Sequence, residues 1–315
     1  MAKKIISLVL SLLILAAIVW YSDPVKLITV MATINPIYII AGLILSTIST
    51  LFVRVMRWKV LLKDVTFSEI WPIQLFGMAV SNLTPGKIAE PIKAIVLKVR
   101  KNIPVSTSLQ SIMWERIIDV IILILFSMVA INIISLGTNF FYLGIISIII
   151  FIILIALILA VMKYQAFGFK IIHFLRRFPV LKNISDDFIR NFYETKTLRK
   201  SLILCFALTL IAWILDGLSF YLIFIALGMN ITFLATISLV SFALLISIVS
   251  FLPGGLGSFE VIMVVFLGMF GVTASTATAG VLLARFVTIW YSLLLGGFAF
   301  IYLSKVINMK DLKKI

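Results

Sequence analysis

Ten ionisable side chains stand within or beside strongly apolar stretches of this sequence, and they are the residues best placed to do chemistry. A charge at the centre of a bilayer costs roughly 2.5–3.5 kcal/mol or more to insert, so each one needs a partner or water. Because five are basic and five are acidic, internal pairing could neutralise the whole set. The ten residues are Arg54, Arg57, Lys87, Glu90, Glu115, Arg116, Asp119, Asp216, Glu260 and Arg285.

Spacing along the chain indicates how some of these charges are arranged. Glu115 and Asp119 are four residues apart and share a helix face, and Arg116, three residues before Asp119, can reach it. Arg54 and Arg57 lie near the end of an apolar run. We expect them to contact lipid phosphates, because long basic side chains extend toward the membrane surface.

Arg285 lies about eight residues into the last apolar run and has to point inward, with Asp216 and Glu260 as candidate partners. Two interpretations stay open for the membrane charges. They are either ion pairs between helices that bind no ligand, or groups that line a path for a polar substrate. In the second interpretation the substrate-binding residues are Lys87, Glu90, Glu115, Arg116, Asp119, Asp216, Glu260 and Arg285.

Proline and glycine interrupt two apolar stretches, which predicts broken helices. The sequence from 250 to 260 reads SFLPGGLGSFE, and that from 84 to 87 reads TPGK. Proline lacks a backbone donor and glycine lacks a Cβ, so a continuous helix is disfavoured at both places. At membrane depth the freed backbone groups must line a polar cavity or be buried in protein. The break residues are Pro85, Gly86, Pro253, Gly254, Gly255 and Gly257.

The composition excludes a soluble globular protein. Of 315 residues, 63% are hydrophobic and 12% are charged, and several runs reach the roughly 20 apolar residues that span a bilayer. The net charge of +15 suits cytoplasmic loops and anionic lipid, and no soluble basic surface is long enough for nucleic acid. The single cysteine, Cys205, and single histidine, His173, exclude an internal disulfide and a His-pair metal site. We expect no cofactor, no metal and no enzymatic activity.

The elements that must position the charges are membrane helices, so the predicted fold is an all-α polytopic membrane protein. Basic flanking residues place both termini in the cytoplasm of a protein of the cell membrane. The first run could instead be a signal peptide, and the second broken pair could be two full crossings instead of a re-entrant hairpin. Six full spans are predicted at 5–20, 36–56, 114–136, 140–162, 202–228 and 278–303, with broken pairs at 70–83 and 88–99 and at 231–252 and 261–272.

The two broken pairs are predicted to enter the membrane from opposite sides, which is typical of an inverted repeat. Between the halves, residues 163–200 carry nine Lys and Arg against three acids and form the strongest cytoplasmic marker in the chain. Apolar residues within this segment fall on one helical face. The pattern indicates either an amphipathic helix in the cytoplasmic membrane interface or a loop helix that packs on the bundle.

Several of these motifs together resemble one family, the transmembrane (flippase) domain of lysylphosphatidylglycerol synthetase/flippases. The resemblance covers nearly all 315 residues and keeps the order of elements. The most specific motif is Leu252-Pro253-Gly254-Gly255-Leu256-Gly257 followed by Glu260. The others are Arg54 with Arg57-Trp58, Pro85-Gly86-Lys87 with Glu90, and Glu115-Arg116 with Asp119.

The resemblance implies a helical domain that moves lipids between leaflets. Its partners would be anionic or aminoacylated phospholipids, or polyprenyl-linked lipids. We expect residues 1–315 to form a single transmembrane domain without the soluble synthase domain of two-domain members. Lys87 and Pro91 stand where those members more often carry Arg and a leucine-like residue. The alternatives are a membrane scaffold or accessory subunit of an envelope-glycan or lipid-modifying enzyme, and a small-molecule transporter. A homo-oligomer is compatible with each.

Overall fold

The computed structural model describes residues 2–62, 65–84, 89–134, 186–194, 197–250 and 252–306, together with scattered positions between 142 and 164. Within these ranges the chain is a bundle of helices and contains no β-strand. The helices are α1 Ala2–Tyr21, α2 Pro24–Ala32, α3 Pro36–Leu61, α4 Phe67–Asn82, α5 Ile92–Lys101, α6 Val105–Ile134, α7 Asp186–Glu194, α8 Arg199–Ala226, α9 Phe233–Val249, α10 Ser258–Met269 and α11 Ala274–Val306.

Side-chain caps explain why several helices begin where they do. The Asn35 side chain accepts from the Ile37 amide, and Pro36 at the first helical position has no amide to satisfy. Thr66 and Glu69 form a capping box at the start of α4. Such caps satisfy amides that have no partner within the helix, so they define the helix starts locally.

Helix length and composition confirm a membrane protein, but they do not establish the predicted count of six full spans. Among the described residues, α3, α8 and α11 are long and apolar enough to cross a bilayer. A fourth crossing results if α1 and α2, which meet at a bend of 82°, count as one span. The predicted span at 140–162 lies mostly outside the described residues, as does most of the basic segment 163–200. The six-span count therefore stays a prediction.

Between the predicted spans at 5–20 and 36–56 the chain forms a further helix, α2. Asp23 adopts a positive φ of 58° and turns the chain, and its side chain then accepts from the Lys26 amide to start α2. The apolar residues of α2 are why the connection is a helix, since Leu27 is buried and α2 packs against α11.

The packing between the two halves of the chain is reciprocal. The long helices that precede the two broken pairs, α3 and α8, pack on each other. The long helices that follow them cross over, because α6 packs on α9 of the second pair and α11 packs on α4 of the first. The two halves are therefore interlocked around a common centre.

Both α3 and α11 contain a π-helical turn at this centre. The turn in α3 covers Ile48–Val53 and directly precedes Arg54, and the turn in α11 covers Phe286–Trp290 and directly follows Arg285. π-helical turns are rare and often occur at functional sites. Here each one changes the helical register next to an arginine, which is partly buried in α3 and buried in α11. The change redirects the side chains on either side of it.

Candidate functional site

The second helix break is built from glycines in the left-handed backbone region. Helix α9 ends at Val249 and α10 begins at Ser258. Gly254, Gly255 and Gly257 between them have φ values of 59°, 67° and 87°. Because residues with a Cβ are strained at such angles, the glycines are required for this path of the chain. The break predicted at these residues is confirmed.

A buried ion pair fastens this break. Glu260 Oε2 accepts from the Gly257 amide at 2.7 Å, and Glu260 Oε1 accepts from Arg285 Nε at 2.8 Å. Arg285 Nη2 donates to the carbonyl oxygen of Gly254 at 2.9 Å, and its guanidinium lies over the Phe259 ring. Both charged side chains are 2% exposed. Of the two candidate partners of Arg285, Glu260 forms the ion pair, and its observable action is to hold the turn together.

The first break is described on both sides of its tip. Helix α4 ends at Asn82 and α5 begins at Ile92, so a long interruption separates them. Pro85, Gly86 and Lys87 lie outside the described residues. Glu90, near the start of α5, is described and buried.

Six side chains next to the first break form a closed ring in which acids and bases alternate. Every neighbouring pair in the ring is joined by an ion pair, and the ring has no net charge. In order, the contacts are Glu90–Lys93 at 2.9 Å, Lys93–Glu115 at 2.5 Å, Glu115–Arg57 at 2.9 Å, Arg57–Asp119 at 2.7 Å, Asp119–Arg116 at 3.1 Å and Arg116–Glu90 at 2.7 Å.

The sequence analysis missed one member of the ring, Lys93, and the side chain of Gln74, which is hydrogen-bonded to it. Lys93 is fully buried, lies over the Trp58 ring and also donates to Gln74 at 2.9 Å. Its signal was a lysine three residues after Glu90 inside a short apolar half-helix, where both side chains share a face. Gln74 carried no signal beyond an amide within an apolar helix.

The structure places Arg57 differently from the sequence-based expectation. Its side chain is 1% exposed and held between Glu115 and Asp119, so its expected contact with lipid phosphates is wrong. The reason is that α3 packs on other helices here, which brings two carboxylates within reach. The predicted reach of Arg116 to Asp119 is confirmed.

Arg54 pairs across the interface between α3 and α8. Its Nη2 lies 2.6 Å from Asp216 Oδ2, and its Nη1 donates to Asp216 Oδ1 at 3.3 Å and also to the Ser49 hydroxyl. Ser49 in turn donates to Asp216 at 2.7 Å. Asp216 is therefore bound to Arg54 and not to Arg285, for which the sequence had made it a candidate partner.

These three groups of charges surround one cavity at the centre of the bundle. The centre of a water molecule can occupy about 110 Å³ of it, room for several waters. Its wall combines serine and threonine hydroxyls with aromatic and aliphatic surfaces. The charged residues that line it are Arg54, Glu90, Arg116, Asp119, Asp216 and Arg285.

Of the predicted binding residues, five line the cavity, two lie behind its wall, and Lys87 lies outside the described residues. Glu115 lies behind the wall with Arg57 and Lys93, and Glu260 lies behind Arg285, so none of these four residues reaches the cavity directly. The residues that do reach it present three positive and three negative charges. Such a wall can bind a polar group that carries both signs, or exchange one of its own pairs for an ion.

Most of this chain matches the model of a known protein family. Residues 5–296 match the family model described as the lysylphosphatidylglycerol synthase TM region. Since this match covers most of the chain, the protein belongs to that family. The resemblance inferred from the motifs is confirmed.

Its relatives include archaeal membrane proteins of similar length. A UPF0104 membrane protein of Methanocaldococcus jannaschii is 26% identical and aligns over 98% of this chain and 97% of its own. A UPF0104 membrane protein of Pyrococcus horikoshii is 27% identical over 94% of this chain and 96% of its own. Glycosyltransferase AglD of Haloferax volcanii is 27% identical over 36% of this chain and 19% of its own.

Proposed function

We propose that this protein moves the headgroup of a membrane lipid between the two leaflets through the central cavity. The observation that carries the proposal is a cavity of mixed charge inside a helix bundle whose outer surface is apolar. The outer surface exposes side chains such as Leu13, Ile203 and Phe298. A headgroup could cross within the cavity while its acyl chains stay in the surrounding lipid.

The positions of the charges favour an inverted repeat as the frame for this movement. In each half, an acid near the start of the second half-helix pairs with an arginine on the long helix that follows. The separations are 26 residues for Glu90 and Arg116 and 25 residues for Glu260 and Arg285. Arg54 and Asp216, from the helices that precede the two breaks, pair with each other. A two-fold axis through the Arg54–Asp216 pair would produce this pattern.

The lengths of the broken helices favour re-entrant pairs. Helix α10 has 12 residues and rises about 18 Å, and α5 has 10 residues and rises about 15 Å. A bilayer core is about 30 Å thick, so neither half-helix crosses it alone. In the proposed topology the two breaks enter from opposite leaflets and meet near the midplane, with both termini on the cytoplasmic side of the cell membrane.

The lining of the cavity favours a headgroup that carries a phosphate and an amine. Arginine binds phosphate oxygens through its planar fork, and a carboxylate can receive an ammonium group. Anionic or aminoacylated phospholipids and polyprenyl-linked phosphates fit this description as cargo. The proposal includes no chemical step, so the protein acts as a transporter and not as an enzyme.

Lipid movement in reconstituted liposomes tests this function. Fluorescent phospholipid that crosses to the outer leaflet becomes accessible to dithionite, so the extent of bleaching reports movement. We expect the wild-type protein to accelerate crossing, and Arg54→Gln and Asp216→Asn to slow it. Lys98→Met, which changes an exposed charge, is the control. Failure of the folded wild-type protein to accelerate crossing, with each cargo class tried, would reject the proposal.

A second candidate is an accessory subunit of an enzyme that modifies lipids or envelope glycans. The partial match to a protein named glycosyltransferase AglD favours it, because a related membrane segment occurs there beside additional sequence. This candidate predicts that the protein copurifies with an enzyme in fixed ratio. It also predicts that charge-neutralising changes in the cavity alter assembly and leave lipid movement unaffected.

A further inference from the structure

Three arginines of the described residues, Arg54, Arg116 and Arg285, reach the cavity, and all three are already paired with carboxylates. An anionic headgroup can bind strongly only if one of them gives up or shares its internal partner. The cost of that exchange depends on the carboxylate left behind, because a buried carboxylate without a cation is strongly destabilising. The three arginines differ in this respect.

The release of Arg54 or of Arg285 would leave a buried carboxylate without a cation. Without Arg54, Asp216 keeps the Ser49 hydroxyl and has no other cation among the described residues. Without Arg285, Glu260 keeps only the Gly257 amide among the partners that the described ranges supply, and the Gly254 carbonyl oxygen also loses its donor. The release of either arginine would therefore uncover a buried charge.

Arg116 is different because both of its acids have a second cation. Glu90 keeps Lys93 at 2.9 Å, and Asp119 keeps Arg57 at 2.7 Å and the Trp213 indole N–H at 3.1 Å. The closed ring thus opens at Arg116 and leaves every remaining member paired. The five remaining residues of the ring would carry one net negative charge. The Arg116 guanidinium would still face that charge across the cavity.

Arg116 is also the most accessible and the least well bonded of the three. Its side chain is 37% exposed, against 11% for Arg54 and 2% for Arg285. It makes one aligned hydrogen bond to Glu90, from Nη2 to Oε1 at 3.0 Å. Nε and Glu90 Oε2 are 2.7 Å apart but not aligned for a second hydrogen bond, so both atoms lack a hydrogen-bond partner within the part of the chain that the structure describes.

We propose that Arg116 exchanges Glu90 and Asp119 for the phosphate of a headgroup in the cavity, and that these two acids occupy it when the cavity is empty. This inference rests on the proposed function and adds the group that binds the cargo. A guanidinium suits the exchange because its planar fork binds carboxylate and phosphate in the same manner. Lys93 and Arg57 act as positioning residues that hold the two acids after Arg116 has left.

Protection of arginines from a dicarbonyl reagent tests the exchange without any lipid movement. The full-length protein in detergent is treated with the reagent alone, with inorganic phosphate, or with micelles that contain phosphatidylglycerol or diacylglycerol. Modification of Arg116 is followed by peptide mass spectrometry. We expect phosphatidylglycerol to slow the modification of Arg116 roughly tenfold, which is the effect of one charged hydrogen bond on an equilibrium constant. Diacylglycerol, which has no phosphate, should have no effect.

The arms of this experiment separate the sources of the phosphate. Protection by phosphatidylglycerol alone supports a lipid headgroup, and protection by inorganic phosphate as well supports phosphate recognition without need of the lipid. No protection by either one would overturn the proposal. Equal protection of Arg54 would also overturn it, because that result indicates closure of the whole cavity and not a local exchange.

A gain of affinity distinguishes the exchange from a structural role for the ring. Glu90→Gln removes the internal competitor, so Arg116 should bind phosphatidylglycerol about tenfold more tightly, whereas a merely damaged fold would bind it less tightly. Lys101→Gln, at an ion pair with Glu69 that does not line the cavity, should bind as the wild type does. Weaker or unchanged binding by a folded Glu90→Gln protein would contradict the proposal. Binding with this pattern but without transbilayer movement would reject the proposed function and leave the exchange intact.

Discussion

Gly254 packs against the backbone of Asn82, although the two residues are 172 positions apart in the sequence. A Cβ on Gly254 would lie 2.9 Å from the Asn82 carbonyl oxygen, closer than such atoms approach. Asn82 is the last residue of α4 and Gly254 lies in the turn before α10. The ends of the two broken pairs therefore meet, and the cavity lies where they do.

This contact predicts a large effect of a small side chain. Gly254→Ala should lower the free energy of unfolding by about 1–3 kcal/mol, because it adds strain at positive φ and a clash with Asn82. The matched control is Gly268→Ala in α10, where a Cβ meets nothing within 4 Å. Alanine there should be neutral or stabilising by up to about 1 kcal/mol. Thermal unfolding in detergent measures both, and equal effects would contradict the observed contact.

The ring predicts that two lysines of the same helix α5 differ sharply. Lys93→Met deletes a fully buried cation, so the ring keeps a net charge of −1 that no displaced cation still faces, and the Gln74 oxygen loses its donor. This change should destabilise the protein by roughly 3–5 kcal/mol. Lys98 has an exposed partner, Asn102, so Lys98→Met should change the stability by less than about 0.5 kcal/mol. Chemical denaturation compares the two variants. A Lys93→Met protein as stable as the wild type would show that the ring is not formed.

Water should fill the cavity, so that a cysteine introduced into its wall can react with a water-soluble reagent. Thr288 lines the cavity, and the natural cysteine, Cys205, is buried, which keeps background labelling low. A charged methanethiosulfonate reagent should modify Thr288→Cys in liposomes. Phe298→Cys, on the outer apolar surface of the same helix, should resist it, because a thiol in lipid does not ionise. Equal labelling of both cysteines would argue against a water-filled cavity.

Acid should weaken one ion pair at the edge of the bundle. The Lys101 ammonium and the Thr66 amide and hydroxyl lower the pKa of Glu69 from 4.5 to about 2. Since the folded pKa is the lower one, the contribution of this pair is complete above about pH 4.5 and is lost as the pH falls toward about 2. Glu69→Gln should therefore lose at most about 1 kcal/mol at neutral pH, as is usual for exposed pairs. Unfolding measured against pH should show the variant and wild type converging in acid, and a constant difference would exclude this origin.

The sequence predicted the features of this protein that depend on local chemistry. Proline and clustered glycine prevent a continuous helix, so the break before Glu260 could be placed from residue types alone. The pairing of Arg116 with Asp119 followed from helix periodicity. The need of a membrane charge for a partner named Glu260 as one of two candidates for Arg285, and the sequence did not choose between Glu260 and Asp216.

The features that were missed depend on how distant helices pack. The partner of Asp216 is Arg54 because α3 and α8 lie side by side, and no spacing along the chain encodes that contact. The burial of Arg57 was missed for the same reason. It depends on two carboxylates of α6, and the spacing along the chain does not show that α6 lies beside Arg57. Lys93 was overlooked because its stem is apolar enough to sit in a hydrophobic half-helix.

Transbilayer movement by a protein with a blocked cavity tests the central claim most directly. Thr288→Trp places a large side chain in the cavity and removes no ion pair, and Phe298→Trp places the same side chain on the outer surface of α11. We predict that fluorescent phospholipid in liposomes crosses with the wild-type protein and with Phe298→Trp, and stops crossing with folded Thr288→Trp. Crossing at the wild-type rate with Thr288→Trp would contradict a path through this cavity.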